Sequence, residues 1–333
     1  MPARYPYIVS DRDFSAPSGT DPYPDVGTEL SFWLPVPPYD QSKRIKQNGY
    51  GTWLTALLND ITDGRVMIFI HGFANPWTKV IDTSDATHGL AAMVGHFWSY
   101  PGLTIPLVGP IVFFDWPSTG KLLPNPYHEA QGKAVKTATQ FFKNPAGNID
   151  LKRIIDDIAK AKPGTRINIV CHSMGNYVFA NGASSLTPGS VSLALMNAAA
   201  IDIQSFNPQS GSQTLADGIQ KCLGSNYAMI MSTTYDDVLP TVSEKPLVGD
   251  PWAELGLWNI ALGTPVYPCT RPKVVSDLVN QKHGAESIHT AYYYIPLVLD
   301  LMNTYLNLEF AEADKSAIAN SPQVKRIDEP ARV

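Results

Sequence analysis

The chain is poor in cysteine, in basic charge and in long apolar runs. Its three cysteines, Cys171, Cys222 and Cys269, are odd in number and include no CxxC pair. That argues against a disulfide framework or a zinc-thiolate site. Twenty-five Lys and Arg against 30 Asp and Glu leave a formal net charge of −5, so no basic excess marks a nucleic-acid or anionic-membrane partner. No apolar run approaches the ~20 residues of a membrane span. The opening Met1-Pro2-Ala3-Arg4-Tyr5 has no apolar signal core. Charged residues are only 17%, which excludes a chain that is disordered or coiled-coil as a whole. Internal repeats are also missing. So are the motifs of several enzyme classes: there is no GxGxxG, Gly120-Lys121 lacks the rest of a phosphate loop, and His128-Glu129 has no second His for an HExxH site. No cofactor and no metal are expected.

What the chain does have is 333 residues with 44% hydrophobic content, enough for one large α/β domain or two modest ones. Twenty-eight prolines and 24 glycines suggest short elements joined by tight turns. Continuous apolar runs at Val66–Ile70, Ile111–Phe114, Ile167–Cys171, Val191–Met196 and Ala228–Met231 read as strands covered on both faces. Val274-Val275 and Glu29–Leu34 are further strand candidates. Helical spacing runs through Trp53, Leu54, Leu57 and Leu58. It recurs in the stripe Leu151, Ile154, Ile155 and Ile158, and again after Pro296. Strands alternating with helices predict a mostly parallel central sheet with helices on both faces.

Two strand ends carry chemistry. Ile167–Cys171 runs directly into His172-Ser173-Met174-Gly175 and then a helical stretch. Such a strand–turn–helix exposes a serine hydroxyl at the carboxyl edge of a sheet and aims the following amide, that of Met174, at the same point. The turn needs a small residue two positions after the serine, and Gly175 supplies it. Val66–Ile70 ends in His71-Gly72-Phe73-Ala74. A glycine there lets the backbone approach a substrate, so the N–H of Phe73 or of Ala74 is the candidate second oxyanion donor. His71 reads as a loop brace.

With these motifs placed, the chain resembles the α/β-hydrolase superfamily, and within it a bacterial α/β-hydrolase family of unknown function. The resemblance rests on His71-Gly72-Phe73, Trp116-Pro117-Ser118 and His172-Ser173-Met174-Gly175 in that order, over residues 64 to 305. Cys171 stands where that family often has alanine. The resemblance implies a Ser–acid–His order along the chain. Ser173 is then the nucleophile, Asp236 the acid and His289 the base. Asp202 and Asp237 are alternative acids, and His283 is an alternative base.

The expected organisation is an extended arm with a candidate edge strand over 1–60, an α/β-hydrolase domain over 61–310 and a loosely ordered tail over 311–333. The aromatic stretch 240–270 is either a lid insertion or an extra packing unit. The expected activity is hydrolysis of carboxylic esters with an apolar acyl or aromatic group, through an acyl-enzyme. The alternatives are an acyltransferase and a non-catalytic fold that binds a ligand or partner. The expected location is the cytoplasm, or outside it as the mature form of an exported protein.

Overall fold

The computed structural model describes residues 5–15, 22–83, 89–100, 102–104, 106–118, 124–142, 147–201, 215–224, 226–231, 236, 238–239, 256–259, 264–268, 288–293 and 296–307. Nine strands are found among them: β1 (Tyr7–Arg12), β2 (Val26–Trp33), β3 (Arg65–Ile70), β4 (Ile111–Asp115), β5 (Arg166–His172), β6 (Leu193–Asn197), β7 (Tyr227–Met231), β8 (Gly256–Asn259) and β9 (Thr264–Pro268). They form one sheet in the order β2-β1-β4-β3-β5-β6-β7-β8-β9. The six strands from β1 to β7 in that order are parallel, and β2 and β8 pair antiparallel at the two flanks. This is the mostly parallel sheet that the sequence pattern predicts, and the architecture that the resemblance to α/β-hydrolases implies.

The helices divide between the two faces, as strand alternation requires. On β4, Phe114 meets Phe142 at the end of the long helix Pro124–Phe141, whereas its neighbour Phe113 stacks on Phe69. Phe69 in turn touches Phe97, in helix Leu90–Ser99, and Tyr293. The Pro124–Phe141 helix packs on helix Gly175–Ala183, and that helix on Leu215–Leu223. The final helix, Pro296–Asn307, lies with Leu90–Ser99, and Asn303 Nδ2 donates to Phe97 O at 2.9 Å. Helix Leu151–Ala161 buries the predicted stripe of Leu151, Ile154, Ile155 and Ile158. Its N-cap, Asp150, accepts from the Arg153 N–H at 2.7 Å.

The chain enters β3, steps to β4 on one side, then returns to β5 on the other side of β3. The loops leaving β3 and β5 therefore diverge at a switch point, where open α/β sheets place their ligands. Register keeps these strand ends level: Ile70 lies opposite both Phe114 and Cys171, Ser10 opposite Asp115, and His172 opposite Asn197. The last row of one face is thus Ser10, Asp115, His71, His172 and Asn197, all buried polar residues.

Two expectations change. The segment expected as an extended arm supplies two strands. Only β2 is an edge, because β1 lies between β2 and β4 with all six of its residues buried. Its second half, Ser10-Asp11-Arg12, is polar, and partners brought by the fold offset its burial: Asp115 for Ser10 and Arg12, and Thr137 for Asp11. Within 240–270, residues 256–259 and 264–268 extend the sheet as β8 and β9. The rest of that stretch, Val274-Val275 and the tail 311–333 lie outside the described residues.

Candidate active site

Ser173 sits between β5 and helix Gly175–Ala183 with φ +51°, a left-handed conformation that a residue with a Cβ adopts at a cost of about 1–3 kcal/mol. The backbone around it is locked. Ser173 N–H donates to Asn197 O at 2.9 Å. Ser173 O accepts from the amides of Asn176 and Ala200 and from Asn176 Nδ2. Asn176 Nδ2 also donates to Asn197 O. The requirement for a small residue after the serine has a direct cause: a Cβ on Gly175 would lie 2.3 Å from Ile70 O and 2.5 Å from His71 O. Cys171, two residues before, is fully buried, and burial raises its thiol pKa well above the ordinary value, so it supplies no thiolate.

The loop after β3 passes against this turn. A Cβ on Gly72 would come 2.8 Å from Ser173 Cβ and 3.1 Å from His172 O. Asn75 Nδ2 donates to Gly72 O at 3.0 Å and to Phe73 O at 2.9 Å, tying both loop carbonyls. Ala74, at φ +61°, donates its N–H to Ser118 O at 2.7 Å. Of the two expected donors, Phe73 and Ala74, Ala74 thus has its N–H engaged in the loop's own pairing with the Trp116-Pro117-Ser118 segment. The same segment explains the middle motif of the sequence: Trp116 Nε1 donates to His71 O at 2.7 Å, and Asn75 N–H to Ser118 Oγ at 3.2 Å.

His71 is a brace, as expected. Its Nδ1 lies 2.8 Å from Gly72 O, and its Nε2 lies 3.1 Å from both Asp115 Oδ1 and Trp116 N. Asp115 is fully buried. Burial pushes its carboxyl up, but the Arg12 guanidinium and then the His71 contact outweigh that and hold it below the usual carboxylate range. Arg12 Nε lies 2.8 Å from Asp115 Oδ2, and Ser10 Oγ donates to the same oxygen at 2.6 Å.

The two-turn 3₁₀ segment Ile288–Tyr293 carries His289. His289 Nδ1 donates to Asp236 Oδ2 at 2.7 Å, and both residues are buried. The other Asp236 oxygen accepts from the N–H groups of Val238 and Leu239, each at 2.9 Å. Burial alone would raise the Asp236 carboxyl. The bond and charge of His289 and these two amides reverse that, so it lies below its ordinary value. His172 Nε2 donates to His289 O at 2.8 Å, and the two rings lie 4.7 Å apart. Burial, and then the neighbouring His289, lower the His172 pKa to about 3, so it is a neutral tether.

The structure thus brings Ser173, Met174, Phe73, Asp236 and His289 to one end of the sheet. The alternatives Asp202, Asp237 and His283 lie outside the described residues. Sequence reasoning missed Arg12, Asn75, Asn176 and Asn197 as supports. Their only local signal is a polar residue beside a strand or helix end. Among the described residues, no group of three or more His, Cys, Asp or Glu is placed to hold a metal ion. None of their helices is long and apolar enough to cross a membrane.

A family model described as an alpha/beta hydrolase of unknown function (DUF900) matches residues 46–217, and the chain belongs to that family. The match takes in the loop after β3 and the Ser173 turn. It begins after β1 and β2 and ends before Asp236 and His289. No curated protein matches the chain. Among solved structures, the chain is similar to Trichoderma reesei cutinase in complex with a C11Y4 phosphonate inhibitor, at 12% identity and a TM-score of 0.29, over 62% of this chain and 78% of that one.

Proposed function

We propose that this member of the alpha/beta hydrolase family hydrolyses carboxylic esters through Ser173, His289 and Asp236. The observation that carries the reading is the buried 2.7 Å bond between His289 Nδ1 and Asp236 Oδ2, tethered through His172 to the strand that presents Ser173 in a strained turn. A group that accepts Nδ1–H in this way fixes the tautomer that leaves Nε2 free to take a proton.

In this mechanism Ser173 Oγ attacks the ester carbonyl carbon while His289 Nε2 takes the hydroxyl proton. Asp236 stabilises the imidazolium without itself being protonated. The carbonyl oxygen becomes an oxyanion facing the N–H groups of Met174 and Phe73, which are held in place before the reaction and need no reorganisation. Collapse expels the alcohol with the proton from His289 and leaves an acyl-Ser173. Water, deprotonated by His289, attacks the acyl carbon in turn and releases the acid. Phe73, whose ring meets Tyr127 at 6.0 Å, gives this end of the sheet an apolar wall suited to an acyl or aromatic body. An alcohol replacing water in the second half would make the same site an acyltransferase.

The test is active-site labelling with a fluorophosphonate and turnover of p-nitrophenyl esters of graded chain length. The expected result is one label per chain, on Ser173, and turnover reduced about 10⁴–10⁶-fold in Ser173→Ala. A folded protein that neither labels nor turns over any ester of the series overturns the reading in favour of a binding role.

A further inference from the structure

Arg12 lies far in sequence from every residue of the proposed reaction, on a strand that the family match does not reach. It is nonetheless 1% exposed, and its guanidinium faces the loop after β3. Nε binds the Asp115 carboxylate through both oxygens, at 3.1 and 2.8 Å. Nη2 donates to Asn75 O at 2.6 Å and to Trp116 O at 3.1 Å, and Nη1 to Tyr23 O at 2.9 Å. One planar group therefore joins the two segments whose pairing shapes the oxyanion loop: 71–76 through Asn75, and 116–118 through Trp116. Asn75 passes the constraint on, since its side chain ties the carbonyls of Gly72 and Phe73. Asp115 passes it on a second way, through His71 Nε2 at 3.1 Å. A planar fork spreads its donors over three nitrogens and so reaches acceptors on separate segments, whereas the three donors of an ammonium radiate from one atom.

We propose that Arg12 is a positioning residue. Its guanidinium holds loop 71–76 in the conformation that presents the Phe73 N–H beside Ser173, so that strand β1 completes the oxyanion hole from outside the motif-bearing segment. The inference rests on the hydrolase reading for its kinetic consequence and on geometry alone for the loop.

The decisive variant is Arg12→Lys, whose single nitrogen keeps the positive charge but cannot both sit against Asp115, as Nε does, and reach Asn75 O and Trp116 O, as Nη2 does. Two readouts are compared with wild type. Hydrogen exchange of the amides in 71–76 should be at least tenfold faster, with β5 and β6 unchanged. The kcat per fluorophosphonate-titrated site should fall about 10–100-fold with KM within threefold, a split expected when transition-state contacts alone are lost. In Arg12→Ala, added guanidinium should recover part of that kcat. Wild-type exchange across 71–76 in a folded Arg12→Lys protein overturns the proposal. So does loss of cooperative unfolding in that variant, which would make Arg12 a support of the whole fold. If the wild-type protein neither labels nor hydrolyses esters, the hydrolase reading fails while the exchange comparison still decides whether Arg12 holds the loop.

Discussion

The two sides of Ser173 are built differently. On the side of the proposed oxyanion loop, Ser10, Arg12, His71, Asn75, Asp115, Trp116 and Ser118 form one continuous buried network across β1, β3 and β4. On the side of the proposed base, and among the described residues, the Asp236 carboxylate holds the His289 ring and the His172 ring holds its carbonyl. The difference follows from what each side must do. Backbone N–H donors act only where they are held, so the loop that carries them needs a cradle of many contacts. An imidazole that takes and returns a proton needs only its tautomer and its place fixed. Losses on the base side should therefore be abrupt, and losses on the oxyanion side graded.

The largest effect is expected on the base side. His289→Ala should lower kcat/KM for a p-nitrophenyl ester by about 10⁴–10⁶, and Asp236→Asn by about 10⁴, because the amide no longer selects the tautomer with Nε2 free. Steady-state kinetics on the two variants check this. Activity close to wild type in either would show that His283, or Asp202 or Asp237, holds the role.

A smaller loss is expected from Asn75→Ala, which frees the carbonyls of Gly72 and Phe73 but deletes no donor to substrate. Removing a direct oxyanion donor costs on the order of 10²–10³, so the indirect change should cost about 10–100 in kcat with KM nearly unchanged. A fall as deep as that of His289→Ala would erase the contrast between abrupt and graded sides.

The smallest effect concerns stability. His172 has a folded pKa of about 3 against an ordinary value of 6.5. Between those pH values the unfolded chain takes a proton that the folded chain refuses. Its contribution is therefore complete above pH 6.5 and declines as pH falls, by about 1 kcal/mol per unit. Asp11 runs the other way. Burial raises its carboxyl to about 8, against the lowering effect of its bond from Thr137, so its contribution is complete below its ordinary pKa and is lost as pH rises through about 8. Other groups add to the wild-type slope, His96 among them, whose pKa burial also lowers, and the difference between wild type and His172→Asn isolates His172. Urea unfolding at pH 7, 6 and 5 should give a flatter acid limb in the variant. Equal slopes would mean that His172 is not the buried neutral tether of the base side.

Much of this molecule was already determined by local sequence. The apolar runs of β3, β4 and β5 mark strands buried on both faces. The Leu151–Ile158 stripe with its Asp150 cap marks a helix, and strand, serine and Gly175 together mark the turn. These signals are legible because a period, a cap or a close approach of backbones is set by residues a few positions apart. Tertiary structure decided the rest. Whether Ser10-Asp11-Arg12 belongs to a strand depended on Asp115, about a hundred residues away. Whether the Ala74 N–H was engaged depended on Ser118 O, in the neighbouring strand's loop. His289 and Asp236 became partners only when the loop after β7 and the turn before the last helix met at one edge of the sheet. A buried charge or amide is tolerated only with a partner, and for these residues the partner is supplied by the fold and not by the neighbouring sequence.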